Sequence, residues 1–256
     1  MKTHRKEGIM KIDCKVVGMG SVLEKLDFNA PIIKQAHIYA LNRTGYDVMD
    51  ATIEEMRHAF DRPTPYTLSS IRLDKATASK LVAEIGPREE AGKGTPAAKY
   101  LRPEIWGGER NEKGSERALQ RTGILPQGMY TVPGQGAKLD AYGNISRGTY
   151  QQILSWFDSA ESKLGRTMNM GDKGRAKAMK GTRTKWGYRY FAVRNPNYHL
   201  AMGIWRRTTV TGRSDIEPIL MFVKKPVYQK RYRFYEVGLQ VAYEMFRRHF
   251  YEGMKG

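Results

Sequence analysis

The chain has 256 residues, which is enough for one large domain or two small ones and for a buried core without disulfide bonds. Its 44 Lys and Arg residues outnumber its 26 Asp and Glu residues, and the formal net charge is +18 at pH 7. Because 40% of the residues are hydrophobic, a disordered basic tail is excluded. The surplus of positive charge indicates an acidic partner, such as a polyanion.

Cysteine usage and hydropathy indicate a soluble protein of a reducing environment. Cys14 is the only cysteine, which excludes an internal disulfide and a cysteine-based zinc site. No stretch of the sequence approaches the roughly 18 apolar residues that a membrane span requires, and no apolar segment follows the basic start of the chain. We therefore expect a soluble protein that is made in a cytoplasm, and a virion interior also fits.

The N-terminal part of the chain is predicted to form a short strand and a long helical region. Alternating apolar residues at 10–16 are typical of a half-buried strand. Asn29 is a suitable N-cap for the helical spacing that continues to Phe60, as one helix or as two helices that break at Gly45. The proline-containing segment 62–65 ends this region.

Two strands and a long irregular segment are predicted next. The strands, at 66–73 and 79–85, are separated by a polar turn and are predicted to form a hairpin. The segment 86–187 is rich in glycine and is predicted to be a loop-rich insertion that carries a basic arm. Its short helices are predicted at 97–101, 115–122 and 149–163.

The C-terminal part of the chain returns to regular structure. Aromatic and β-branched residues predict strands at 188–193, 199–206 and 216–223. Helical spacing of apolar residues predicts a closing helix over 228–251. We therefore expect an α+β fold in which an antiparallel sheet packs against N- and C-terminal helices. Residues 1–85 and 188–256 are expected to form the core, and 86–187 the insertion.

Residues that carry enzyme chemistry do not occur at workable spacing. The acidic pairs at 54–55 and 89–90 are adjacent in sequence, which on a helix points the two side chains about 100° apart, so they indicate solvated surface. The five histidines are scattered, and the glycine runs at 92–95 and 171–174 lack the spacing of a phosphate-binding loop. We therefore expect no enzymatic activity, no catalytic residues, no metal and no cofactor.

Positive charge is concentrated in the segment 161–190, which has nine basic residues against two acidic ones. A glycine-spaced basic arm suits a phosphate backbone because each Lys or Arg releases a counterion without reading sequence. A solvated loop, or an arm that docks on an acidic protein, explains the same pattern, and the sequence leaves these alternatives open. The candidate residues for contact with nucleic acid or an acidic partner are Lys163, Arg166, Lys173, Arg175, Lys177, Lys180, Arg183 and Lys185.

A second basic cluster precedes the closing helix. Its candidate residues for the same contacts are Lys224, Lys225, Lys230 and Arg231. The aromatic residues interleaved with them are Tyr228, Tyr232, Phe234 and Tyr235. Such rings stack nucleic-acid bases in some proteins, but at helical spacing they more often belong to a core, and we favour a core role here.

Four segments of the chain resemble a known protein family. They are Ala40–Thr44, Thr67–Ile71, Pro218–Val223 and Tyr228–Phe234. In kind and order these segments resemble the minor tail protein Z of tailed bacteriophages, a family that belongs with tail-completion and head–tail connector (neck) proteins. The resemblance covers residues 1–85 and 188–256, and the insertion between them is larger than expected for the family.

The resemblance implies a small α+β core whose copies assemble into a ring around a DNA channel. Such rings join the portal side of a capsid to the tail tube or cap the end of the tube, and no catalytic residues come with the family. We therefore expect a structural virion protein of the tail or head–tail junction. Its expected partners are copies of itself, portal, neck or tail-tube proteins and the phosphates of genomic DNA, without a membrane. The alternative is a free nucleic-acid-binding protein without sequence specificity.

Overall fold

The computed structural model describes residues 5–6, 9–12, 30–90, 95–160, 168–210 and 213–255. Its helices are α1 (Ala30–Ala59), α2 (Pro65–Leu68), α3 (Ala97–Trp106), α4 (Gly114–Arg121), α5 (Arg147–Trp156), α6 (Asp172–Lys180) and α7 (Phe234–Lys255). Its strands are β1 (Arg5–Lys6), β2 (Ile9–Ile12), β3 (Ile71–Asp74), β4 (Ala83–Pro87), β5 (Gly108–Glu109), β6 (Tyr130–Pro133), β7 (Gly187–Val193), β8 (Gly203–Val210), β9 (Arg213–Val223) and β10 (Val227–Tyr228). Long N- and C-terminal helices accompany two antiparallel four-stranded sheets, which confirms the α+β class.

The chain folds into two compact units. The first unit consists of Met1–Gly108 together with Tyr228–Gly256, and the second unit is Glu109–Val227. The chain therefore leaves the first unit once and returns to it for α7. Each unit has a sheet and a hydrophobic core of its own.

In the first unit, α1 packs against α7 and against the strands β3 and β4. The sheet has the strand order β1-β2-β4-β3. β3 pairs antiparallel with β4, with Leu73 opposite Ile85, and this pairing confirms the predicted hairpin. The fully buried side chains of this core include Leu41, Val48, Met56, Ile85, Leu101 and Phe234.

The helix α1 is continuous through Gly45, so of the two predicted alternatives the single long helix is correct. A Cβ atom on Gly45 would lie 2.7 Å from Cδ1 of Leu73. The glycine therefore gives a β3 side chain room to approach the helix. Asn29, the predicted N-cap, and residues 13–16 of the first predicted strand lie outside the described residues, whereas Ile9–Ile12 form β2 as expected.

The predicted strand over 66–73 is wrong in its first half. Pro65–Leu68 form the short helix α2, and the Thr64 side chain caps this helix by accepting a hydrogen bond from the Thr67 backbone N–H at 3.1 Å. Proline in the first turn and threonine at the N-cap are typical of a helix start, and they outweigh the strand propensity of the residues that follow. The strand itself begins at Ile71.

In the second unit, four strands form an antiparallel sheet in the order β6-β9-β8-β7. β6 pairs with β9, with Tyr130 opposite Val223 and Pro133 opposite Leu220. The core combines side chains from α4, α5 and this sheet. Its buried members include Leu119, Leu125, Ile153, Tyr190, Ile204 and Leu220.

The compact units are bounded differently from the predicted core and insertion. The strands over 188–223, which were expected to share a core with residues 1–85, belong to the unit that contains most of the 86–187 segment. The reason is β6, which lies within that segment and supplies the pairing partner of β9. From Glu109 onwards, the expected insertion is therefore part of a unit with its own core.

Other element boundaries also differ from the predicted ones. The strand expected over 199–206 is displaced to Gly203–Val210, because a turn that starts at Asn195 takes up part of the preceding segment. The closing helix begins at Phe234 and not at Tyr228, which lies in β10. The strand over 188–193 is confirmed, with one additional residue at its start.

A buried carboxylate joins α4 to β6. The Glu116 side chain is fully buried, and Arg110 donates one hydrogen bond to each of its carboxylate oxygens, at 2.6 and 2.7 Å. The carboxylate also accepts hydrogen bonds from the Lys113 N–H and from the N–H and hydroxyl of Thr131. Burial alone raises the pKa of Glu116, but these hydrogen bonds outweigh burial and hold the pKa below its ordinary value.

This carboxylate is expected to make stability depend on pH. Because the pKa of Glu116 is lower in the folded chain than in the unfolded chain, its stabilising contribution is present above the ordinary pKa of about 4.3 and is lost as the pH falls further. Glu116→Gln removes this titration, so its unfolding free energy is expected to fall less steeply with acid. Denaturant unfolding of both proteins between about pH 6 and pH 3 measures the two slopes. Equal slopes would contradict the expectation.

Candidate nucleic-acid interface

The basic segment is organised by α6, whose lysines recur on one side. Lys173, Lys177 and Lys180 are three or four residues apart and are exposed. Asp172 lies in the first turn and two of the lysines lie in the last turn, which is the favourable arrangement for the helix dipole. The helix therefore presents a row of positive charges.

Arg175 links α6 to the end of α5 and the residues that follow it, through a hydrogen bond and an ion pair. Its Nε donates to the backbone carbonyl of Trp156 at 3.2 Å, and its guanidinium pairs with Asp158 at 2.5 Å and with Asp172 at 3.3 Å. Asp158 has a φ of 54°, so the chain turns sharply where α5 ends, short of the predicted 149–163. Arg175 therefore serves as an internal anchor and is not on the exposed row with its neighbours.

The turn from α6 to β7 is held by its own hydrogen bonds. The Thr182 N–H donates to the Lys185 carbonyl at 2.8 Å, and the Lys185 N–H donates to the Thr182 hydroxyl at 3.1 Å. Gly181 has a φ of 72°, and a Cβ atom there would lie 2.5 Å from the backbone nitrogen of Gly187. Glycine is required for this close approach, which fixes the backbone of the turn.

Five exposed cations of α6 and this turn form what we name the α6 basic surface: Lys173, Lys177, Lys180, Arg183 and Lys185. Within the described part of the chain, none of them forms an ion pair with a carboxylate. Their charges are therefore available to an anionic partner. The other two candidates of this segment, Lys163 and Arg166, lie outside the described residues.

The second basic cluster is largely neutralised within the chain. Three of its four candidates form ion pairs, which are Lys225 with Glu109, Lys230 with Glu236 and Arg231 with Glu104. Arg231 donates two hydrogen bonds, at 2.5 and 3.1 Å, to a carboxylate 127 residues earlier in the chain, and this contact raises the pKa of Arg231. Lys224 is exposed and forms no ion pair with a described carboxylate. This cluster therefore offers little free charge to a partner.

Three of the four aromatic residues of the second cluster belong to the core, as the interpretation of these three expected. Tyr232, Phe234 and Tyr235 are 0%, 0% and 5% exposed. The Tyr232 hydroxyl donates to the Thr52 carbonyl at 3.0 Å, and burial raises the pKa of Tyr232. Tyr228 is half-buried in β10. The three buried rings are therefore not available for stacking on a ligand.

Trp186 escaped the sequence analysis, and Arg189 entered it only as one of the nine basic residues of the segment 161–190. Trp186 closes the turn next to Lys185 and is 58% exposed. Arg189 follows in β7 and is exposed as well. The signal that could have found Trp186 is a tryptophan between closely spaced glycines and cations, since a buried tryptophan is seldom placed in a polar turn.

Glu55 and His249 form hydrogen-bonded side-chain contacts within the first unit. Glu55 accepts two hydrogen bonds from Arg233, at 2.8 and 3.0 Å, which lower the pKa of Glu55. His249 lies between Asp47, at 2.5 Å, and Glu252, at 3.0 Å, and ties α7 to α1. Among the described residues, no group of three or more His, Cys, Asp or Glu side chains is placed to hold a metal ion.

No helix in the described part of the chain combines the length and the apolar character needed to cross a bilayer. Comparison of the chain with protein-family models, with curated proteins and with solved structures yields no match. The resemblance to minor tail protein Z therefore stays a prediction.

Proposed function

We propose that this chain is a structural protein of a tailed-phage virion, which forms a ring with copies of itself at the head–tail junction or at the end of the tail. In this proposal the ring joins the portal or neck to the tail and surrounds the channel for DNA. The observation that carries the proposal is the α6 basic surface, with five exposed cations that lack described carboxylate partners. The order of segments that resembles minor tail protein Z supports the place in the virion.

An anchored basic helix suits a partner that carries regularly spaced negative charge. Each lysine that meets a phosphate releases a counterion, and this gain does not depend on base sequence. Because Arg175 holds α6 and Gly181 shapes the following turn, little backbone entropy is lost when the surface meets a phosphate backbone. A ring around DNA of any sequence needs contacts of this kind.

The second candidate function is that of a free nucleic-acid-binding protein, which the same surface favours. The two functions differ in how salt affects the bound state. Phosphate contacts weaken steeply as salt rises, whereas a subunit held in a ring by packing stays associated with tail or portal components. Retention in isolated particles at high salt supports the virion role, and complete release supports the free binder.

Removal of three charges from α6 tests the contact with a polyanion. The variant with Lys173, Lys177 and Lys180 changed to glutamine is expected to bind duplex DNA more weakly and with a smaller salt dependence. Log K falls as log salt rises, and the loss of three phosphate contacts makes this negative slope shallower by about 3. Fluorescence anisotropy with labelled duplex DNA at several salt concentrations measures this slope.

A control variant of equal net charge separates local contact from overall charge. Arg117, Lys138 and Arg147 are exposed cations of the same unit that lie outside the α6 basic surface. Their combined change to glutamine is expected to leave the slope nearly unchanged. If both triple variants lose affinity equally, net charge and not the α6 basic surface governs binding.

A further inference from the structure

We infer that the α6 basic surface binds nucleic acid with unpaired bases, and that a base stacks on the Trp186 indole. This inference rests on the proposed contact between that surface and a polyanion. It names the class of polyanion, and that class agrees better with the second candidate function, a free nucleic-acid-binding protein, than with a ring around a DNA duplex. It also assigns a binding role to an aromatic residue that neither charge nor helical spacing marks as functional.

The exposure of Trp186 is the first support. Its side chain is 58% exposed, and within the described part of the chain no ring or cation stacks on it. The other three tryptophans have internal partners. Trp106 packs on Tyr235, Trp156 packs on the tyrosines of β7, and Trp205 donates its indole N–H to the Ala201 carbonyl. Trp186 is the most exposed of the four tryptophans, at 58% against 38% for Trp106.

The backbone around Trp186 is the second support. The turn from 181 to 186 is closed by the two hydrogen bonds between Thr182 and Lys185. The close approach of Gly181 to Gly187 holds both ends of this turn together. An exposed ring on an ordered backbone loses little conformational entropy when it stacks on a flat ligand. The turn therefore presents the indole in a preorganised position.

The charges on either side of Trp186 are the third support. Lys185 precedes the tryptophan, Arg183 lies in the same turn, and Arg189 follows in β7. All three side chains are exposed. Proteins that bind single strands combine a positively charged track for phosphates with aromatic rings for bases, and stacking tolerates any base. The residues around Trp186 supply both parts within a short segment.

Unpaired bases fit this arrangement better than the two other anionic partners. In a duplex the faces of the bases are already stacked on one another, so an indole at the surface meets only the backbone or a groove edge. The Asp and Glu side chains of an acidic protein neutralise the lysines, but they have no flat ring that stacks on the tryptophan. The indole therefore favours a single-stranded nucleic acid.

The test compares binding of single-stranded and duplex DNA by the full-length chain. Labelled oligothymidine of about 12 nucleotides and a duplex of the same length are titrated with the wild type and with Trp186→Ala. We expect Trp186→Ala to weaken binding of the single strand roughly tenfold, which is the effect of losing one stacked base, and to change duplex binding by less than about twofold. Trp186→Phe and Trp186→Tyr are expected to restore most of the affinity.

A matched control uses another exposed aromatic residue of the same unit. Tyr142 is 41% exposed. Its backbone N–H donates a hydrogen bond to the Asp140 carboxylate. Tyr142→Ala is expected to leave single-strand binding unchanged. Because the Trp186 side chain is mostly in solvent, we expect the variants to keep the fold and stability of the wild type. Circular dichroism and thermal melting check this.

The outcomes separate this inference from the proposed function. Equal loss of single-strand and duplex binding in Trp186→Ala, or no loss at all, overturns the stacking role while the lysine variants still test the polyanion contact. Competition by polyglutamate that is as strong as competition by oligothymidine overturns the inference in favour of an acidic protein. Failure of the wild type to bind any polyanion overturns both the inference and the polyanion contact on which it rests.

Discussion

Replacement of Glu116 by alanine is expected to lower the free energy of unfolding by about 3–5 kcal/mol, because it removes the carboxylate that neutralises the largely buried Arg110 guanidinium. The carboxylate accepts both hydrogen bonds from Arg110, whose side chain is only 12% exposed. It also satisfies the backbone N–H groups of Lys113 and Thr131. The variant therefore loses an ion pair, and the N–H groups of Lys113 and Thr131 lose the acceptor that Glu116 provides.

The loss is expected in the second unit, since Glu116 joins α4 to β6 there. Hydrogen exchange followed by mass spectrometry measures the loss of protection over residues 109–227, and chemical denaturation gives its size. Glu89→Ala is the control, because Glu89 is an exposed glutamate of a described loop. It is expected to change stability by less than about 0.5 kcal/mol. A loss as small as this in Glu116→Ala would show that the network does not hold the unit together.

Phe234→Ala is expected to destabilise the first unit by about 3–5 kcal/mol, as a large-to-small change in a tightly packed core. The Phe234 side chain is fully buried at the start of α7. Its ring lies 5.7 Å from the ring of Tyr232 and 5.2 Å from that of Tyr235. Alanine leaves a cavity among these rings and removes both aromatic contacts.

The matched control for this variant is an exposed aromatic residue on the same helix. Tyr243 is 62% exposed on α7, and Tyr243→Ala is expected to change stability by less than about 1 kcal/mol. Chemical denaturation with hydrogen exchange over α1 and α7 measures both variants. Equal effects of the two substitutions would contradict the buried position of Phe234.

The fold could be predicted from the sequence where local periodicity and packing agree. α1 and α7 follow helical spacing closely, and the hairpin of β3 and β4 follows from two short apolar runs around a polar turn. The partition into units could not be predicted, because β6 and β9 are distant in sequence and pair only in three dimensions. The helix α2 was not predicted, because its N-cap residue, Thr64, lies within the segment 62–65 that was interpreted as the end of the preceding helical region.

The candidate interface was predictable in its charge but not in its detail. The density of basic residues between 161 and 190 identified the segment, but the helix α6 within it was not predicted. No sequence pattern showed that Arg175 pairs with Asp158, or that Arg231 pairs with Glu104 from a distant helix. Which cations are free for a partner depends on such long-range ion pairs, and these are set by the packing of each unit.

Native mass measurement of the full-length chain, alone and mixed with candidate portal or tail-tube proteins, tests the central claim most directly. The proposed ring predicts one closed oligomer with a whole number of 29.3 kDa subunits, either free or bound to a partner protein. This oligomer is expected to stay intact at high salt. A chain that remains monomeric in every mixture, and that is missing from purified phage particles, would contradict the account.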